Sequence, residues 1–430
     1  MPTEFEVQGL RITDLAEEFG TPLYLYDGDA LSGRMKDLRD LLHPRLEVFF
    51  SLKANPNVAV CSLLHAHGAR AEVSSLAELA TARRAGVSPE DIVFLGPGKS
   101  REELEACLDG GVYTIICESF GELTLIDEAA AARGIVADVA LRVNPEFAVK
   151  GSGLTMGGKP RQFGIDEAQL LAAPDLAARH PHVRLMGVQV YMGTRILSEG
   201  AVAENTERIL GLAERLAGTL GFPLDMVDIG GGLGVAYFDN ESDLDLADVA
   251  ARINPLLDKF ASAHPGTRLV MELGRYLTAL AGTYTVRVRY VKTSMGENFA
   301  VADGGTNHHM AAVGIGSFVK RNFPIRVLNR LDESASGDWN ITGPLCTPND
   351  TLGKKVALPE VRPGDLIGVA RSGAYGPSAS PVNFLSHGHP AEVLVVDGRA
   401  HLVREPDRPE DLLRAQRLPE GVPFGGSAGR

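Results

Sequence analysis

A (β/α)8 barrel joined to a β-rich domain is the fold this sequence predicts, and three observations predict it. Short apolar runs recur eight times before Arg275. Amphipathic stretches of helical spacing separate most of them. After Arg275 the texture changes to period-two alternation broken by Gly, Pro and Asn.

The eight predicted strands are Leu46–Ser51, Ala71–Val73, Ile92–Leu95, Thr114–Cys117, Asp138–Val143, Met186–Tyr191, Met226–Ile229 and Leu269–Glu272. They are rich in Val, Ile and Leu and almost continuously apolar, as strands covered on both faces must be. Val58–His67, Leu76–Ala85, Arg101–Leu108 and Val202–Thr219 carry helical periodicity between them. Eight such repeats within ~250 residues fit a closed barrel better than an open doubly wound sheet. Beyond the barrel, Thr283–Lys292 reads as a half-buried antiparallel strand, followed by Phe299–Ala302, Leu366–Ala370, Ala391–Val396 and Ala400–Val403. Residues 276–405 thus form a β-domain, and 406–430, rich in Pro, Gly and charge, are expected to hang free as a flexible tail.

Composition narrows the class. With 430 residues and 44% apolar content the chain can bury a real core and need not be disordered. A net charge of −13 speaks against nucleic acid or an anionic membrane as the main partner. The four cysteines make no CxxC pair and no zinc-finger spacing, so neither a disulfide framework nor a metal site is expected. The first twenty residues lack a signal-peptide pattern, and no apolar run approaches the ~18 residues of a membrane span. The expectation is a soluble cytoplasmic protein with reduced thiols.

Four short motifs carry chemistry. Phe49-Phe50-Ser51-Leu52-Lys53-Ala54-Asn55-Pro56 puts a lysine at the C-terminal end of the first barrel strand, the end where barrels hold active sites. Desolvation there is expected to lower its pKa and leave a nucleophilic amine suited to an aldehyde. By spacing alone a surface lysine fits equally. Asp228-Ile229-Gly230-Gly231-Gly232 follows the seventh strand, where glycines let backbone N–H groups approach an anion; a plain turn is the alternative. Glu272-Leu273-Gly274-Arg275 ends the eighth strand; taken alone, a structural Glu–Arg pair is the better reading. Gly343-Pro344-Leu345-Cys346-Thr347-Pro348-Asn349-Asp350 places a cysteine on a loop, with Gly373-Ala374-Tyr375-Gly376 following, although a lone cysteine is more often a small buried residue. Two further runs are set aside. Gly96-Pro97-Gly98-Lys99-Ser100 lacks the first glycine of a P-loop, which would fall at Val93. His308-His309 cannot present both rings to a metal from one helix face.

Taken in order, these motifs resemble the fold-type III pyridoxal-phosphate decarboxylases, the family of diaminopimelate and ornithine decarboxylases, over about Thr21–Leu402. The resemblance implies an alanine racemase-like fold, with a barrel over 26–275 and a β-domain from 1–25 and 276–405. It implies a homodimer with shared active sites and pyridoxal 5′-phosphate as cofactor. By position, Lys53 matches the Schiff-base lysine, and Glu72 and Arg142 support the cofactor. Thr194, Gly230, Gly231, Gly232, Gly274, Arg275 and Tyr375 match the phosphate cup. Glu272 matches the partner of the pyridine nitrogen, and Cys346 the proton donor delivered across the dimer interface. Arg195, Thr347 and Asp350 are the substrate-side candidates.

Departures from the family pattern refine this. Tyr191 stands where the family stacks a histidine on the cofactor ring, Glu72 replaces a common Asp, and Thr347 replaces the acidic residue that meets a distal ammonium. The last speaks against a free diamino acid. The runs Lys150–Lys159, Gln162–Asp166 and Gly305–Met310 resemble the natural-product branch, which decarboxylates glutamyl-, aspartyl- or methylaspartyl-carrier proteins through a side-chain thioester. The implied partner is an acyl carrier protein, in secondary metabolism. It would need a basic rim, for which Lys150, Lys159, Arg161, Arg195, Lys320 and Arg321 are candidates. A diaminopimelate decarboxylase is the competing enzyme. A racemase needs a second acid–base that the sequence does not reveal, and a non-catalytic pyridoxal-phosphate-binding paralogue would tend to lose Lys53 or the glycine loop.

Overall fold

The computed structural model describes residues 3–148, 154–313 and 321–420. A short hairpin and helix Ile12–Glu18 lead into strand β1 (Leu23–Asp27). The chain then builds eight strands: β2 (Leu46–Ser51), β3 (Arg70–Val73), β4 (Ile92–Phe94), β5 (Thr114–Cys117), β6 (Ala137–Asn144), β7 (Val183–Gln189), β8 (Met226–Gly231) and β9 (Arg268–Leu273). Each pairs in parallel with the next, and β9 returns to pair with β2, so the barrel closes. Phe49, Val93, Leu95, Ile116, Ala140, Met186, Met226 and Val270 form one fully buried cluster drawn from the strands. A second, larger layer packs strands against helices such as Gly28–Leu41 and Glu199–Leu220. Side-chain oxygens of Ser75, Ser100, Ser119 and Ser198 cap the helices that follow β3, β4, β5 and β7, satisfying otherwise orphaned N–H groups.

Most barrel strands end within two residues of their predicted spans, and β7 departs furthest. β7 begins at Val183, three residues early, because exposed Arg184 interrupts the apolar run while pairing with Asp138 (2.6 Å) and Asp225 at the barrel's lower rim. It ends at Gln189, which leaves Tyr191 in the turn beyond.

The second domain contains β10 (Gly282–Ser294), β11 (Glu297–Ala302), β12 (Ile325–Val327), β13 (Gly337–Thr342), β14 (Thr351–Leu358), β15 (Leu366–Ala370), β16 (Ala391–Val396) and β17 (Arg399–Arg404). Its order is β14-β13-β11-β10-β1-β16-β17, with β15 joining β10 to β12. The amino-terminal β1 therefore lies inside this sheet, antiparallel to β10 and parallel to β16. Tyr24 of β1 stacks on Tyr284 of β10 at 4.8 Å, and Tyr26 donates to buried Glu392 at 2.9 Å.

β10 is half-buried only in its first half. From Arg289 to Ser294 every residue is exposed, because that half pairs with β11 alone and extends past β1 and β15. β12, β13 and β14 were not predicted; Gly353, Lys354 and Lys355 break the alternation of the last. The expected free tail is corrected in part: Asp407 bonds His389 at 2.8 Å, and Pro409–Leu413 forms one helical turn. Residues 421–430 lie outside the described residues. No helix among the described residues is long and apolar enough to cross a membrane.

Candidate active site

The C-terminal ends of the barrel strands converge on a cavity of ≈470 Å³. Strand β2 delivers Lys53 to it. Buried Leu52 and Ala54 anchor the 3-10 turn that follows the strand, and the lysine between them lines the cavity. Its Nζ lies 3.1 Å from Oε2 of Glu72, which β3 buries next door, and Ser74 Oγ donates to the other Glu72 oxygen at 3.1 Å. Burial alone would lower the lysine's pKa, but the Glu72 and then the Glu272 carboxylate outweigh it, and the net shift is upward. This corrects the expectation of a lowered pKa: the amine is held as a cation. Burial would likewise raise Glu72, yet Lys53, Ser51 and Ser74 hold it below its ordinary value.

On the other side of Lys53, β9 buries Glu272, whose Oε1 accepts from Gln189 Nε2 at 3.2 Å. Asp228, wholly buried on β8, accepts from Gly230 N–H at 2.8 Å through Oδ1. Burial first, and the Glu272 carboxylate second, push Asp228 well above the carboxylate range, which favours its protonated form, and its Oδ2 is buried without a hydrogen-bond partner. Burial also raises Glu272, with Glu72 adding to the shift and Lys53 opposing it.

Thr194, Arg275, Tyr191 and Tyr375 complete this side of the cavity. Arg275 Nη1 donates to Tyr237 at 2.9 Å, its guanidinium lies 4.6 Å from the Tyr375 ring, and its Nε is buried with no partner. Behind them the glycine loop packs against the 190–196 stretch. A Cβ on Gly231 would meet the Glu272 carbonyl oxygen at 1.7 Å, and one on Gly232 the Gly193 carbonyl oxygen at 2.0 Å. Gly274 is packed less closely, with a Cβ there meeting the Ala54 Cβ at 2.8 Å. Only glycine fits such approaches. Gly230, Gly231, Gly232 and Gly274 therefore back the cavity and do not form its inner surface. Tyr191 lies beside Lys53, its ring centroid 5.9 Å from Nζ, and burial pushes its hydroxyl up to about 12, so it stays neutral.

The opposite wall holds residues that sequence reasoning missed: Leu95, Gly96, Pro97, Gly98, Met156 and Phe163. The run set aside as a failed P-loop is thus part of the cavity. Its Lys99 reaches no ligand, because the amine is buried and bonded to Glu122, Gly96 O and Ile116 O at 2.6–2.7 Å. Arg142 of β6 joins this wall under the Phe163 ring at 4.8 Å, and its Nη1 donates to buried Glu118 at 2.8 Å. A lone acid between a strand and a capping serine offers only its place at a strand's C-terminal end as a signal.

Several candidates sit elsewhere. Cys346 is exposed, and neither it nor Thr347 lines this chain's cavity. Asp350 is corrected from the substrate side to a loop clamp: it is buried, and its oxygens accept from the Thr306 N–H, the Thr306 hydroxyl and the Leu345 N–H at 2.7–3.1 Å. Arg195 lies off the cavity, bonded to Glu241 at 2.8 Å and flanked by Tyr237 and Phe238. Of the proposed basic rim, Lys159 and Arg161 are exposed, Arg321 donates to Asn240 at 3.1 Å, and Lys150 and Lys320 lie outside the described residues. His308 and His309 are buried, neutral and far from any metal arrangement: His308 bonds Tyr284 and the Gly388 carbonyl, and His309 bonds Ser372 at 2.8 Å. No group of three metal-ligating side chains exists among the described residues.

The cavity suits pyridoxal phosphate. A lysine, a buried carboxylate system and an arginine with an unpartnered buried donor all border one space, matching an aldehyde, a ring nitrogen and a phosphate.

Comparison with known proteins agrees. The family model described as pyridoxal-dependent decarboxylase, pyridoxal binding domain, matches residues 29–279. The chain is 39% identical to L-glutamyl–BtrI acyl-carrier protein decarboxylase of Niallia circulans, covering 94% of this chain and 96% of that protein. It is 33% identical to diaminopimelate decarboxylase of Pseudomonas aeruginosa, covering 96% and 97%. Among solved structures, diaminopimelate decarboxylase of Helicobacter pylori complexed with L-lysine superposes with a TM-score of 0.84 at 29% identity, covering 94% of this chain and 98% of that one.

Proposed function

Because the chain belongs to the pyridoxal-dependent decarboxylases, and so is a pyridoxal-phosphate-dependent carboxy-lyase, we propose that its substrate is an acidic amino acid carried as a side-chain thioester on an acyl carrier protein. The glutamyl form is the first choice, and the pathway is one of secondary metabolism. The observation that carries this reading is the distal wall. Leu95, Pro97, Gly98, Met156 and Phe163 bring no charge, and the charged groups beside them are already engaged. Lys99 is paired with Glu122, Arg142 with Glu118, and Glu103 caps its own helix through Ser100 N–H. Each charged group of this wall is thus already engaged once by its own chain, which suits a neutral thioester better than a free ammonium or carboxylate at the substrate's far end. End-to-end similarity to the glutamyl-carrier enzyme supports the same choice.

When bound, the cofactor supplies the aldehyde that captures the substrate amine and the ring that takes up the electron pair released with CO2. Lys53 would hold the aldehyde, and Glu72 orients its amine. Arg275, Thr194 and Tyr375 would bind the phosphate, with the glycine loop as backing. Glu272 would accept the ring N–H, kept in place by Gln189. Tyr191 would cover the ring with an uncharged face. Arg142 would support the cofactor from the opposite wall. Cys346, exposed and away from its own cavity, would serve as proton donor in the cavity of a second copy, making the enzyme a homodimer.

Intact-mass spectrometry tests the substrate. Glutamyl-, aspartyl- and methylaspartyl-carrier proteins are incubated beside free L-glutamate and diaminopimelate. Loss of CO2 from the glutamyl thioester is the expected result, and response of another acyl chain would rename the substrate. Turnover of free diaminopimelate alone overturns the carrier reading.

A further inference from the structure

We infer that Glu118 is a positioning residue that assembles the distal wall of the cavity from three separate pieces of chain. It stands directly after β5, and its carboxylate is buried. Oε1 accepts from Gly96 N–H at 3.1 Å and from Arg142 Nη1 at 2.8 Å. Oε2 accepts from Gly164 N–H at 3.1 Å. The donors come from the loop after β4, from β6 itself, and from the end of the long excursion that follows β6.

Each donor belongs to a piece that lines the cavity. Gly96 leads the Gly96–Lys99 loop, and Arg142 lines the cavity directly. Gly164 follows Phe163, whose ring covers the Arg142 guanidinium. Gly164 holds φ +71, a left-handed conformation that turns its N–H toward the carboxylate. A Cβ there would meet the Arg142 carbonyl oxygen at 3.0 Å. The lip carrying Phe163 is thus pinned to β6 through the two oxygens of one carboxylate.

The carboxylate also balances Arg142. A guanidinium in this buried wall without Glu118 would be an unpaired cation beside the substrate's path. With Glu118, the wall presents an organised but uncharged face. The inference concerns the wall and holds whichever amino acid derivative enters, so it does not stand or fall with the carrier-protein reading.

Glu118→Gln separates the two oxygens. Its remaining oxygen will face Arg142, the charged donor, and its amide nitrogen will face Gly164 N–H, donor against donor. Hydrogen–deuterium exchange on the full-length holoenzyme should therefore show the Gly164 amide exchanging about tenfold faster or more, with Gly96 and the barrel strands unchanged. With the substrate that the wild-type enzyme turns over, KM should rise about tenfold while kcat stays within about threefold. The pyridoxal-phosphate absorbance titration should shift by less than about twofold. If Glu118→Gln does not fold, Glu118→Asp keeps the charge but is one methylene too short to span both sides, and the same exchange pattern is expected. Unchanged exchange at Gly164, acceleration spread over Gly96 and the strands alike, or a loss confined to kcat overturns the inference.

Discussion

The two sides of the barrel mouth use buried carboxylates in opposite ways. Glu118 has both oxygens filled by three donors of its own chain, one of them Arg142 Nη1. Across the cavity, burial and the neighbouring Glu272 carboxylate push Asp228 up, and Asp228 Oδ2, Gln189 Oε1 and Arg275 Nε are buried without partners. A buried polar group left unsatisfied costs on the order of 1–3 kcal/mol. The satisfied side therefore contributes rigidity. The unsatisfied side holds capacity that a bound cofactor uses. Completeness of hydrogen bonding, more than charge, tells scaffold from receiving surface here.

The hardest test of this contrast is Lys53→Ala, which removes the only amine on the receiving side among the described residues. Turnover should fall by about 10⁴-fold or more, and borohydride should no longer fix the cofactor to the protein. A reducible adduct on another lysine with retained activity would move the site. Next, Glu272→Gln should lower kcat by about 10²–10³-fold with the cofactor still bound, read by steady-state kinetics and the absorbance spectrum.

A third buried cluster extends the comparison to stability. His308 and His309 are pushed down to about 4 and about 3 by burial, from an unfolded value near 6.5. The unfolded chain then binds protons that the folded chain refuses. Stability present above pH 6.5 should be lost as pH falls toward 4, by about 3 kcal/mol from His308 alone. Urea titrations at several pH values measure the slope, and His308→Asn should flatten it; an equal slope in both proteins contradicts the assignment.

The smallest effect expected is from Asp228→Asn. The amide keeps the Gly230 bond and, like the protonated acid, brings no charge beside Glu272, so kcat should change by less than about tenfold. Damage as severe as that of Glu272→Gln would mean that Asp228 works ionised, and the contrast between the two sides would break.

Much of the receiving side was legible in the sequence because each residue there ends or follows an apolar strand. Lys53, Glu272 and the Gly230–Gly232 loop are visible as chemistry placed where a barrel strand runs out. Their electrostatics were not legible. The carboxylates that raise the pKa of Lys53 come from β3 and β9, and nothing local to Phe49–Pro56 announces them. The scaffold side was hidden for a related reason. Glu118 resembles an ordinary residue ahead of a helix cap until Gly96, Arg142 and Gly164 are brought to it. Asp350 misled in the other direction, because a loop acid that clamps backbone has the same sequence signature as one that reads a substrate.

The place of β1 has a consequence for synthesis. Leu23–Tyr26 is an apolar stretch that leaves the ribosome early, yet its partners, β10 and β16, lie more than 250 and 360 residues downstream. The barrel's eight strands can all emerge before either partner exists. During that interval the nascent chain carries an unpaired strand with its edges bare, the kind of surface that recruits chaperones or a neighbouring chain. The sheet of the second domain is complete only when β1 meets strands made after the whole barrel.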